Sequence, residues 1–133
     1  MRVFVDTSAF YSLLDRDEIN HAAARQIWQR LLDNQDTLIA TNYIFVETTA
    51  LVQNRLGMAA VQDVQDYFFP LLTVEWIGEA MHRTGVAALL TANRRQLSLV
   101  DCTSFAVCRQ LAIEAVFTFD RHFAEQGFTM LVA

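Results

Sequence analysis

The sequence predicts an α/β fold built on a parallel β-sheet. Three observations carry this reading. Five short apolar runs read as strands, at residues 2–5, 37–40, 72–77, 115–119 and 128–132. Helix-like stretches lie between the first four of them, and strand–helix–strand order implies parallel pairing with right-handed crossovers. The chain has 133 residues, one proline, and no repeat, low-complexity tract or Pro/Gly/Ser linker, so one domain over 1–133 is expected.

The elements follow in order. Val3, Phe4 and Val5 form the first apolar run, which ends at Asp6. Residues 7–15 and 19–33 read as helices, the second with Ala23, Ile27 and Leu31 at helical spacing. TLIA, 37–40, is the second strand. Residues 42–56 are helical, with Ile44, Leu51, Val52 and Leu56 as the apolar positions, and Gly57 is the stop signal. A further helix is expected over 58–68. Pro70 then breaks the pattern, and LTVEWI supplies the third strand. Residues 78–93 read as helical. Ser98 is a candidate cap for the next helix, with Asp101 in its first turn, and that helix runs through Leu111. AVFTF, 115–119, is the fourth strand, and FTMLV, 128–132, follows Gly127 as the fifth.

Composition narrows the function classes. The chain is 53% hydrophobic and 19% charged, which fits a packed core and excludes disorder. Polar residues interrupt every apolar run short of about 18 residues, so no membrane span is expected. Asp6 falls where the apolar core of a signal peptide would lie, so a cytoplasmic protein is expected. Cys102 and Cys108 are six apart in one helix, outside helical neighbour spacing, and no CxxC or zinc-spaced Cys/His set exists. Free buried thiols are expected. The net charge of −5 argues against a nucleic-acid partner, while the basic residues, all ten of them Arg, suit phosphate binding.

Four carboxylates sit in apolar stretches and not on charged faces. They are Asp6 in VFVDTS, Glu47 in YIFVETTAL, Asp101 in LSLVDCTSFAV and Asp120 in VFTFDRHF. Asp6 and Asp120 end strands one and four. Glu47 lies early in the helix after strand two, and Asp101 in the first turn of the helix before strand four. Helices that run antiparallel to a parallel sheet begin at its carboxyl edge, where such sheets bind ligands. All four acids therefore belong to that edge. Taken singly, a strand-end Asp is a cap or turn former, Asp101 a helix-dipole residue, and Glu47 a solvated one. Taken together, four like charges need compensation, which a hard divalent cation supplies through oxygen ligands.

The stretches VDTS, FVET, LVDCTSFAV and FTFDRHF resemble, in order and spacing, the four acidic motifs of PIN domains, in particular the VapC-type toxins of toxin–antitoxin pairs. The resemblance covers essentially the whole chain. It implies a three-layer α/β/α sandwich with a central five-stranded parallel sheet. It implies a ribonuclease that hydrolyses phosphodiesters with a metal-activated water and one or two Mg²⁺ or Mn²⁺ ions. Asp6, Glu47, Asp101 and Asp120 match the metal-binding acids, and Ser8 and Thr118 match supporting hydroxyls. It also implies an RNA substrate, a small antitoxin partner and a homodimer. The absence of Lys and the negative charge are departures that bear on RNA binding and not on the metal site.

Arg121, His122, Arg94 and Arg95 are candidate RNA contacts, each weighed against a solvated loop. His21 and His82 are expected at the surface. DYFFPLL, 66–72, reads as core, as a dimer interface, or as a groove for an antitoxin helix. Two functional alternatives stay open: an RNA-processing nuclease outside a toxin–antitoxin pair, and an inactive binding module of the same fold. A phosphoryl-transfer or receiver domain is disfavoured, because it needs a positioned Lys.

Overall fold

The computed structural model describes residues 1–133. Five parallel strands form one sheet in the order β3-β2-β1-β4-β5. The strands are β1 (Arg2–Val5), β2 (Thr37–Thr41), β3 (Thr73–Glu75), β4 (Ala115–Phe117) and β5 (Thr129–Met130). The helices are α1 (Thr7–Leu14), α2 (His21–Asp33), α3 (Asn42–Leu56), α4 (Met58–Asp63), α5 (Glu79–Ala92), α6 (Leu99–Gln110) and α7 (His122–Glu125). From β1 to β3 the chain steps outward in one direction. It then returns past β1 and continues the opposite way to β5. Right-handed crossovers in opposite directions put helices on both faces, which is the three-layer α/β/α arrangement expected.

The pleat of the central strands sorts the aromatic residues into two clusters. Val5 pairs with Phe117 and Phe4 with Val116, so Phe117 and Phe4 point to opposite faces. Phe117 meets Trp28 of α2, with centroids 6.5 Å apart. Trp28 and Phe10 of α1 then meet Phe68, and Phe10 also meets Phe69. On the other face Phe4 meets Phe123, which packs with Phe105 of α6 and with Phe128. Phe4, Phe10, Phe117 and Phe123 are fully buried, each worth about 1.5–3 kcal/mol of transfer free energy. Most of the DYFFPLL aromatics are therefore core, whereas Tyr67 remains 68% exposed.

Several boundaries differ from the sequence reading, each for a local reason. β4 stops at Phe117 and not Phe119, because the Thr118 hydroxyl takes the Asp120 N–H at 3.0 Å and turns the chain. β3 and β5 are shorter than 72–77 and 128–132, as befits edge strands. The helix expected over 58–68 becomes a π-helical turn at Val64–Phe68, a wider turn that lets the consecutive Phe68 and Phe69 both reach Phe10. The four-residue α7 was too short to leave a periodic signal. Gly57 ends α3 as expected, at φ +90°, where a side chain would be strained. His21 and His82 are half-buried and not surface groups: His21 Nδ1 lies 2.8 Å from the Ser12 carbonyl, and His82 meets the Tyr43 hydroxyl. Cys102 and Cys108 are buried free thiols. No helix is long and apolar enough to cross a membrane.

One close approach fixes the helix that carries Asp101. Gly85 of α5 faces Thr103 of α6, and a Cβ built on it would lie 2.2 Å from Thr103 Cγ2. Thr103 has no room to yield: it is buried, and its hydroxyl donates to the Leu99 and Val100 carbonyls. Gly85→Ala is therefore expected to push α6 outward and destabilise the fold by about 1–3 kcal/mol. Thermal melting checks this, and an unchanged Tm would show that the α5–α6 contact is compliant.

Candidate active site

At the carboxyl edge, Asp6, Glu47, Asp101 and Asp120 line one polar cavity of about 480 Å³. The sheet order explains the convergence. β1 and β4 are neighbours at the centre, and the Asp6 N–H donates to the Phe117 carbonyl at 3.0 Å, so the two strand ends lie side by side. Glu47 arrives on the second turn of α3 and Asp101 on the first turn of α6.

The three aspartates share one arrangement: one carboxylate oxygen serves the scaffold and the other does not. Asp6 is the N-cap of α1. Its Oδ2 accepts from the Ser8 hydroxyl at 2.8 Å and the Thr118 hydroxyl at 2.9 Å. Its Oδ1 takes no hydrogen bond and is not sealed from solvent. Asp101 completes a capping box with Ser98: its Oδ2 accepts the Ser98 N–H while its own N–H donates to Ser98 Oγ, both at 3.0 Å. Asp120 Oδ1 accepts the His122 N–H at 2.9 Å. Ser8 and Thr118 spend their single protons on Asp6 and accept the Phe119 and Asp120 N–H groups in return. They thus tie the end of β4 to Asp6.

Charge in the cavity is strongly one-sided. Glu18 also lines it, and Arg55 is the sole cationic side chain there. Asp6, Glu47 and Asp101 have no ion-pair partner, and Asp120 has only His122, whose Nδ1 lies 3.2 Å away. That contact is off the axis of a hydrogen bond, so the buried Nδ1 is unsatisfied. Burial pushes the Asp6 carboxyl up to about 6, against the lowering effect of Ser8 and Thr118, with the Asp101 and Glu47 charges adding to the rise. Burial also raises the Glu47 carboxyl, opposed by the nearby Thr7 hydroxyl and aided by Asp101 and Asp120. The Asp101 carboxyl is raised by burial and by Asp120, against the Ser98 N–H. Such a cluster suits a hard cation: ligand atoms of Asp101, Asp120 and His122 lie within 4.8 Å of one another. Asp6 and Glu47 line the same cavity outside that tight group.

The other candidates scatter. His122 turns inward, with its Nδ1 3.2 Å from Asp120 Oδ1, and so stands beside the acids. Arg121 is exposed and lines a separate apolar cavity with Ile27 and Leu131. Arg94 pairs with Glu125 at 3.2 Å, and Arg95 is exposed. Sequence reasoning missed Tyr11 and Arg55 as cavity residues. Their only sequence signal is position, Tyr11 one turn past Asp6 and Arg55 two turns past Glu47, each on a helix that begins at the carboxyl edge.

Comparison with known proteins adds an independent line. The family model described as PIN domain matches residues 3–128. The 23S rRNA-specific endonuclease VapC20 of Mycobacterium tuberculosis is 29% identical over 127 residues, 95% of each chain. The crystal structure of M. tuberculosis VapC20, described as a Sarcin-Ricin loop cleaving toxin, superposes with a TM-score of 0.86 at 26% identity, over 98% of this chain and 99% of that one. FitAcB from Neisseria gonorrhoeae (TM-score 0.67, 15% identity, 98% and 96% coverage) shares the fold.

The raised carboxyls set a pH dependence. Between about pH 4 and 6 the folded protein holds a proton on Asp6 that the unfolded chain has released, so its stability falls as pH rises through that window. Metal-free protein should therefore melt lower at pH 7 than at pH 4.5. Asp6→Asn keeps an oxygen for Ser8 and Thr118 but removes the charge. It should flatten this slope and stabilise the metal-free fold at pH 7, by at most about 3 kcal/mol. Melting curves across pH test this, and an unaltered slope in the variant would contradict it.

Proposed function

The chain belongs to the PIN domain family, and we propose that it is a divalent-metal-dependent endoribonuclease, a single PIN domain over 1–133 that acts as the toxin of a toxin–antitoxin pair. One observation carries the reading. Four carboxylates from four separate segments meet in one cavity, and no Arg within ion-pair reach balances them. The likeness to VapC20, named for its action on 23S rRNA, makes ribosomal RNA the first substrate to test.

Asp6, Asp101 and Asp120, with Glu47 and His122 beside them, would hold one or two Mg²⁺ or Mn²⁺ ions. A bound divalent ion supplies acidification of a water and charge stabilisation on the phosphate. The protein's part is positioning. Ser8 and Thr118 fix the Asp6 carboxylate with one oxygen toward the cavity, and the capping box does the same for Asp101. Glu47 carries no such double anchor and has a raised carboxyl, so it is suited to take a proton from the attacking water. The products are RNA ends bearing a 5′-phosphate and a 3′-hydroxyl.

Exposed Val46, Met58, Trp76 and Leu90 support protein contacts in a homodimer or with an antitoxin. A cytoplasmic site of action follows from an RNA target.

Purified protein is expected to cut a 23S rRNA transcript with Mn²⁺ or Mg²⁺ and to stop with EDTA. Asp101→Asn retains an acceptor for Ser98 and should fold, yet lose about 100-fold or more of the rate. Equal cleavage by the variant, or cleavage in EDTA, would overturn the assignment. In light-scattering measurements the free protein should have twice the chain mass, and a monomer would remove the homodimer.

A further inference from the structure

An arginine that stands among acids and pairs with none of them calls for a reason. Arg55 is exposed near the end of α3 and lines the acidic cavity. Its nearest acidic neighbours do not claim it: no carboxylate oxygen lies within 4.0 Å. Its guanidinium instead sits over the Tyr11 ring, 5.3 Å from the centroid. Tyr11 is itself held, because its hydroxyl donates to Asp15 Oδ2 at 2.6 Å, while Asp15 Oδ1 accepts the Asp17 N–H at 3.0 Å. Asp15 is thus occupied by the turn after α1 and by Tyr11. Arg83 is held by Glu79, Arg94 by Glu125 and Arg30 by the Val132 carbonyl, and none of the arginines without such a partner lines the acidic cavity except Arg55.

We propose that Arg55, braced by Tyr11, is the phosphate-docking residue of this site, gripping an RNA phosphate next to the one that is cleaved. The inference rests on the ribonuclease reading above. The Tyr11 ring lies under the guanidinium while no carboxylate pairs with its N–H groups, and those groups bind phosphate in a fork. The position is apt, since an incoming RNA meets a wall of carboxylates, and Arg55 is the one fixed positive charge on it. Tyr11 acts as a positioning residue: it sets where the fork sits without touching RNA.

The test is steady-state cleavage of the 23S rRNA transcript with Mn²⁺ over a series of salt concentrations. Arg55→Ala should raise KM about tenfold, with a smaller change in kcat. It should also lower the slope of log kcat/KM against log salt by about 0.7, the share of one single-strand phosphate contact. Arg55→Lys should keep the slope but recover only part of KM, because an ammonium lacks the fork. Tyr11→Ala should move KM in the same direction as Arg55→Ala, whereas Tyr11→Phe, which retains the ring, should move it less. Arg55 is exposed, so its variants should melt with the wild type. Wild-type cleavage with KM and salt slope unchanged in Arg55→Ala overturns this inference alone. A wild type that cuts no RNA overturns the ribonuclease reading and this inference with it.

Discussion

Unbalanced negative charge at one edge of a sheet is the constraint on which this structure turns. A parallel sheet gathers its strand ends and helix starts on one edge, and here that edge receives four carboxylates. Asp6, Glu47 and Asp101 are withdrawn from water, and withdrawal penalises their charged forms. The surrounding hydroxyls and backbone N–H groups offset only part of that penalty. What remains is a penalty that a hard cation at this edge would relieve.

A carboxylate has two oxygens, and this site uses the fact repeatedly. Asp6 caps α1, Asp101 closes a capping box and Asp120 anchors the turn into α7. The ordinary structural roles of these residues are therefore real. They do not compete with a chemical role, because each takes one oxygen only. The scaffold bonds also hold each side chain in a fixed rotamer, which is what a preformed ligand set requires. Glu47, on a longer side chain and without a cap to form, is the least constrained of the four.

Much of this was legible in the residues themselves. VFV before Asp6 and AVF before Thr118 are continuous apolar runs, the mark of strands buried on both faces, and both lie at the sheet centre. The acids followed because strand ends and helix starts are readable from pattern. The errors came where side chains override pattern. AVFTF reads as five strand residues, but the Thr118 hydroxyl captures a backbone donor and ends the strand early. Pattern is also silent on where His122 turns, and its ring lies against Asp120. Arg55 and Tyr11 lie 44 positions apart in the chain, and only the packing of α1 against α3 brings them together.

The brevity of the outer strands carries a consequence for how the protein meets others. β3 and β5 have three and two residues, so the sheet tapers at both margins. So short a row of unpaired N–H and C=O groups is a poor template for an extra strand from another chain. Recognition by β-addition, and the runaway stacking that accompanies it, is disfavoured by geometry. The helical faces are the larger surface such a fold offers to others, and there side-chain shape and not backbone pairing would decide who fits.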